Sequence, residues 1–172
     1  EIAQAFRLAC RQSLHRAKNE GSAVPAITLD AREMPSEPAA WETVQLPLAP
    51  ALLTCAITNL VDNALRYHRG PTPVSATLQW HAGTAGDGQV EICVRDQGPG
   101  LTADECGHAL KRFWRKSGSD PGSGLGLTIV HRIAESAGGT LVLEPGTPGL
   151  VARLRLPTCA ADAAPAHGNA PG

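Results

Sequence analysis

Aromatic residues are almost missing from this chain of 172: Phe6, Trp41, Tyr67, Trp80, Phe113 and Trp114 together make up 3% of it. A core with so few rings must be aliphatic, and a hydrophobic fraction of 42% in one domain of this size supplies it. Neither sign of charge is in excess. The 15 Lys and Arg against 16 Asp and Glu leave a net charge of -1, which excludes a nucleic-acid binder working by bulk positive charge. No apolar run approaches the roughly 18 residues that span a bilayer. Arg, His, Asp or Gln interrupts every aliphatic stretch, so no direct membrane insertion is expected. The five cysteines are odd in number and widely spaced, with no C-x-x-C pair. They read as reduced core residues in a cytosolic compartment rather than a metal or disulfide framework. The chain opens on Glu1 with neither Met nor a signal-like segment, which suggests a piece of something longer.

Glycine and proline, by contrast, are abundant, at 18 and 14 residues, and they punctuate clear periodic segments. Apolar positions at helical spacing predict a helix from Ile2 to about Asn19, stopped at Gly21. Two short strands are expected at Ala26–Asp30 and Trp41–Gln45, then a long helix from Pro50 to Tyr67. Val74–Trp80 and Gln89–Arg95 read as a hairpin joined by a glycine-rich loop. A helix is expected from Thr102 to about Trp114, and another from Leu125 to Ala137 ended by Gly138-Gly139. Thr140–Glu144 and Leu150–Leu156 form a closing hairpin, and an Ala, Pro and Gly-rich tail from 158 to 172 is expected to be disordered. Hairpins with helices set between them predict an α+β two-layer sandwich, a mixed sheet with helices on one face, over residues 1–157.

Three stretches are chemically suggestive. At about 100° per residue, Leu53, Ile57, Leu60, Val61, Ala64 and Leu65 share one arc of the long helix, and Asn59, Asn63, Arg66 and Tyr67 lie in a second arc beside it. Asn is a poor mid-helix residue, because its amide competes with the backbone. Two solvated Asn on an amphipathic helix would explain the stripe equally well. Asp96-Gln97-Gly98-Pro99-Gly100 puts a carboxylate at a strand end beside a backbone that a flat ligand can approach, although an ordinary turn has the same form. Gly122-Ser123-Gly124-Leu125-Gly126-Leu127 opens a helix with exposed N–H groups and about half a positive charge, which suits a polyphosphate. A flexible linker with a glycine cap is the plain alternative. Neither the G-x-x-x-x-G-K-[ST] loop nor a strand-led Rossmann fingerprint is present. Just upstream, Arg112, Arg115 and Lys116 stand ready as a phosphate lid or as a merely solvated loop.

In this order and spacing the segments resemble one family, the ATP-binding catalytic domain of sensor histidine kinases in two-component systems. The wider superfamily includes type II topoisomerases, mismatch-repair ATPases and heat-shock chaperones. Asn59 to Tyr67 resembles its N box, Asp96 to Leu101 its first glycine box, Arg112 to Arg115 its F box and Gly122 to Leu127 its second glycine box. Gly138-Gly139-Thr140 and the last strand match the family's close. The resemblance implies the Bergerat ATP-binding fold with ATP and Mg²⁺ as cofactors. It implies that Asn63 gives its amide oxygen to Mg²⁺, with Asn59 as a second ligand or acting through water. By the same resemblance Arg66 contacts phosphate, Tyr67 packs on adenine, and Asp96 accepts a hydrogen bond from the adenine amino group, rejecting guanine. Gly98 and Gly100 let the backbone approach the base. Arg115 and Lys116, with the backbone N–H groups from Gly124 through Leu125 and Gly126 to Leu127, hold the triphosphate. Leu101, Phe113, Ser123 and Thr140 complete the expected nucleotide contacts.

Position 59 also bears on the reaction. Hydrolytic members of the superfamily carry there a Glu that activates water, and an Asn cannot take that proton. The resemblance therefore implies phosphoryl transfer to a His on a separate dimerisation domain of the same parent kinase, and from there signalling to a response regulator. None of His15, His68, His81, His108, His131 or His167 is followed by an acid, so the acceptor is expected outside this chain. The expected parent is an inner-membrane sensor with this domain in the cytoplasm. The alternatives are an ATPase or anti-sigma serine kinase of the same superfamily, or a module that binds nucleotide without chemistry.

Overall fold

The computed structural model describes residues 2–19, 27–30, 44–82, 88–116 and 124–159. The first helix, α1 (Ile2–Asn19), buries Ile2, Phe6, Ala9 and Cys10 along one stripe. It packs against α2 (Pro50–Tyr67), whose Leu53, Ile57, Leu60, Val61 and Ala64 form the centre of the core. Proline opens α2 where its missing N–H costs nothing, and the N–H groups of Leu52 and Leu53 both donate to Ala49 O. Arg16 of α1 pairs with Asp62 of α2 and ties the two helices together.

The strands are β1 (Ile27–Asp30), β2 (Val74–Ala82), β3 (Gly88–Arg95), β4 (Thr140–Pro145) and β5 (Leu150–Pro157). They form one sheet in the order β1-β2-β3-β5-β4, with β1 parallel to β2 and every other pairing antiparallel. Register stacks the apolar side chains in rows across the sheet: Leu78, Ile92, Leu154 and Leu141 in one, Ala76, Val94, Ala152 and Leu143 in the next. These rows are buried under the helices, so the mixed α+β two-layer sandwich expected from the pattern is the observed architecture.

Two further helices lie among the described residues. In α3 (Ala103–Ala109) the Thr102 hydroxyl accepts from Glu105 N–H while the Glu105 carboxylate accepts from Thr102 N–H, a capping box. In α4 (Gly126–Ser136) the chain leaves through Gly138 at φ 67°, with Gly138 N–H donating to Glu135 O and Gly139 N–H to Ala134 O. That is the Schellman stop which the paired glycines predict.

Two expectations need correction. The helix expected to run from Thr102 to Trp114 ends at Ala109, and the chain then turns until Phe113 takes a left-handed φ of 64°, which no helix accommodates. The strand expected at Trp41–Gln45 is reduced, in its described part, to a single bridge between Gln45 and Cys159. The loop at 83–87, Ser123 and the tail from residue 160 lie outside the described residues.

Candidate functional site

A cleft of about 450 Å³ opens between the C-terminal half of α2, the loop after β3, the segment after α3 and the start of α4. That volume is in the range of small-molecule sites. One wall is α2, which contributes Asn59, Asp62, Asn63, Arg66 and Tyr67; Asp96, Pro99, Gly100 and Leu101 come from the loop after β3. Trp114, Arg115, Lys116, Gly124, Gly126 and Leu127 line the side that leads into α4, and Ala109 and Leu150 complete it. Residues spread along the chain from Asn59 to Leu150 therefore meet around one cavity.

Asp96 is the most constrained group. It is 4% exposed, and its Oδ1 accepts from Gly98 N–H at 2.7 Å and from Leu150 N–H at 3.3 Å. Burial pushes its carboxyl above the ordinary value, and these two backbone donors oppose the shift. With both bonds on Oδ1, Oδ2 is left for a ligand donor. Gly98 is not on the cleft wall, and a Cβ there would run into Tyr67 O. Gly100, at φ 65°, would place a Cβ 2.5 Å from Gly149 O. Both glycines thus let the turn pack against its neighbours, α2 on one side and the β4–β5 turn on the other.

On the opposite wall Asn59 Nδ2 donates to Cys55 O at 2.9 Å and approaches Cys55 Sγ at 3.6 Å. Only the amide oxygen is then left to face the start of α4, where a Cβ on Gly126 would stand 3.1 Å away. The Asn63 amide, the Arg66 guanidinium and the Tyr67 hydroxyl make no hydrogen bond or ion pair among the described residues, and all three side chains line the cleft. Lys116 is engaged: its Nζ donates to Gly100 O and to Glu105 Oε2, each at 3.1 Å, and so bridges the cleft rim.

Most residues singled out in the sequence converge here. Leu125 caps α4 between two lining glycines, Gly124 and Gly126. Phe113 does not converge: it is 65% exposed, stacked under Arg112 with the guanidinium 5.4 Å from the ring centre. Thr140 is also remote, because it pairs with Arg155, whereas the cleft residue Leu150 lies at the other end of the β4–β5 ladder opposite Pro145. Trp114, expected at the base of the lid, is on the wall, and Asp62, Pro99, Ala109 and Leu150 are wall residues that the sequence reading did not place in the cleft. Helical spacing was a usable signal for Asp62, three residues after Asn59. No local pattern marks Leu150, which reaches the cleft only through sheet pairing.

Residues 49–159 match the family described as histidine kinase-, DNA gyrase B-, and HSP90-like ATPase. The signal transduction histidine-protein kinase AfsQ2 of Streptomyces coelicolor is 36% identical over 75% of this chain and 23% of its own length. The sensor protein QseC of Escherichia coli is 41% identical over 52% of this chain and 18% of its own. The chain thus spans about a fifth of these curated relatives. Among solved structures, the mycobacterial sensor histidine kinase MprB superposes with a TM-score of 0.63 at 26% identity, covering 90% of this chain and 95% of that one. The ATP binding domain of PrrB from Mycobacterium tuberculosis gives 0.58 at 27% identity, covering 88% and 93%. The chain belongs to the histidine kinase-, DNA gyrase B-, and HSP90-like ATPase family.

Proposed function

We propose that this chain is the ATP-binding catalytic domain of a sensor histidine kinase, presenting the γ-phosphate of ATP to a histidine on a separate dimerisation domain of its parent. The observation that carries the reading is the state of the acids and amides in the cleft. Of the carboxylates that line it, Asp62 is paired with Arg16 and Asp96 is buried under two backbone donors. Position 59 is an amide. With Asp62 paired and the open oxygen of Asp96 given to the adenine amino group, no carboxylate lining the cleft, among the described residues, is left to take a proton from water, and a nucleophile must arrive from outside. The names of the relatives, sensor and signal transduction kinases, support the same choice over an ATPase.

In this reading adenine lies against Asp96, its amino group donating to Oδ2, with Tyr67 and Leu150 as apolar walls. The triphosphate runs along α2 toward Arg66, Arg115 and the N–H groups at the start of α4. The donor set suits Mg²⁺, a hard cation that takes few protein ligands and fills its shell from phosphate and water. Asn63 and the inward oxygen of Asn59 would hold it, and when bound it would neutralise charge on the β- and γ-phosphates. The incoming imidazole nitrogen attacks the γ-phosphorus in line. The bond to the bridging oxygen breaks, ADP leaves, and the imidazole loses its proton to solvent. The chain's contribution is positioning and charge balance. A parent in the membrane, with this domain on its cytoplasmic side and a response regulator downstream, completes the proposal; no described helix of this chain is long and apolar enough to cross a bilayer.

The test mixes this chain with Mg²⁺-ATP labelled at the γ-phosphate and the dimerisation domain of the parent. Acid-labile label on that domain, together with negligible phosphate release by the chain alone, is the expected result. Steady phosphate release without transfer would assign the chain to the hydrolytic branch.

A further inference from the structure

Outside the cleft wall, the end of α2 is fastened to the loop after β3 by a buried imidazole that the proposed chemistry does not use. His68 follows Tyr67 at the C-cap of α2 and is 7% exposed. Gln97 N–H donates to its Nδ1 at 3.1 Å, and its Nε2 lies 3.0 Å from Gly70 O. A backbone N–H can only donate and a carbonyl can only accept. The two bonds together therefore require the neutral ring with its proton on Nε2. Next to it, Arg69 N–H donates to Gln97 O at 3.3 Å, so both backbone groups of Gln97 are held by consecutive residues at the end of α2. Gln97 is the link between Asp96 and Gly98, whose N–H in turn donates to Asp96 Oδ1.

We propose that His68 is a positioning residue that sets the adenine-facing carboxylate of Asp96 at a fixed distance from the phosphate-facing wall of α2. It touches no part of the cleft itself. Its role is to make two separately encoded halves of the site one rigid body: Asn63 and Arg66 are on the helix it ends, and Asp96 is on the turn it holds. Without the Nδ1 acceptor, a half-buried N–H on Gln97 is left unpaired, at a cost comparable to a lost hydrogen bond, and the turn moves to recover a partner. Asp96 moves with it, and the base and the triphosphate no longer fit at once. The proposal rests on the reading of Asp96 as the adenine contact.

Two substitutions separate the ring's two bonds. His68→Asn places an amide oxygen near Nδ1 and keeps the acceptor for Gln97, whereas His68→Gln reaches Gly70 and loses it. ATP and GTP affinities of both, of the wild type and of Asp96→Asn are measured by competition against a fluorescent ATP analogue with Mg²⁺, alongside thermal unfolding. His68→Gln is expected to weaken ATP by roughly five- to tenfold and to narrow the ATP-over-GTP preference, while His68→Asn stays within about threefold of wild type. Equal losses in both variants, or lower thermal stability with the ATP-to-GTP ratio unchanged, would overturn the proposal. So would wild-type affinity and selectivity in both. Asp96→Asn distinguishes the two levels. If it keeps wild-type selectivity, the adenine reading itself fails; if it loses selectivity while His68→Gln keeps it, only the coupling does.

Discussion

Asn63 illustrates how much of this site is decided by single side chains in unusual places. An amide in the middle of a helix tends to bond back to the preceding turn, as Asn59 does to Cys55 O. Asn63 makes no such bond among the described residues, although it lies one turn further along the same stripe and lines the cleft. The difference leaves Asn63 with a whole amide to offer and Asn59 with only its oxygen. If Asn63 holds the cation as proposed, Asn63→Ala should remove the stronger oxygen ligand without disturbing the helix, since Ala favours helix and the position is only half-buried. The expected loss in Mg²⁺-dependent ATP affinity is at least about 30-fold, on the order of 2 kcal/mol, with unchanged thermal stability. Calorimetric titration with and without Mg²⁺ checks this. An equal loss in both conditions would show that Asn63 contacts the nucleotide and not the metal.

At the scale of elements, the least expected member of the site is the β4–β5 hairpin. Its turn lies next to the first glycine loop: Asp96 N–H donates to Leu150 O, Leu150 N–H donates to the Asp96 carboxylate, and a Cβ on Gly149 would collide with Asp96 O. Gly149 also sits at φ 94°, a conformation that L side chains rarely adopt. Gly149→Ala is therefore expected to destabilise the fold by roughly 2–4 kcal/mol and to weaken ATP binding, although residue 149 lies far along the chain from the first glycine loop. Thermal unfolding and ATP titration of the variant decide it; loss of stability with unchanged ATP affinity would separate the hairpin from the site. The same hairpin shows what could be read in advance. The limits of α1 and α2, the strands of both hairpins and the glycine stop after α4 follow local rules of periodicity and capping, and they were legible. So were the α2 stripe and the Asp96 turn, each carried by one continuous motif. Leu150 and His68 were not legible as site residues, because their roles depend on partners brought together by sheet register or by a turn, Leu150 on Asp96 and His68 on Gln97. Phe113 and Thr140 go the opposite way: a motif pointed them at the nucleotide, while a left-handed backbone and a strand register leave them off the cleft wall.

For the whole molecule, the sheet presents two unlike faces, and only the one under the helices leads to the cleft. On the other face Glu91 is 6% exposed and is gripped by Arg155 Nε at 2.7 Å and Arg153 NH1 at 3.0 Å, while Arg153 Nε also reaches Glu144 at 3.0 Å. Burial alone would push the Glu91 carboxyl up. The hydrogen bonds from Arg155 and Arg153 and their positive charge outweigh it, and the carboxyl is held below the ordinary value of 4.5. A carboxyl whose folded value is depressed contributes stability that is complete above the ordinary value and is lost as pH falls through the lower, folded one. Glu91→Gln should thus cost roughly 2 kcal/mol at pH 7, since it removes two charge-assisted bonds and leaves two neighbouring guanidinium groups of β5 without the carboxylate between them. Because the network lies on the far side of the sheet from the cleft, ATP affinity should not change. Denaturant unfolding of wild type and variant from pH 7 to pH 3 provides the measurement, with the difference between them cancelling the titration of other carboxyls. That difference should hold steady from pH 7 to about 4.5. Below that it should shrink as Glu91 takes up its proton in the wild type and comes to resemble the neutral amide. A gap that stayed constant down to pH 3 would mean that the two arginines hold Glu91 by shape and not by charge.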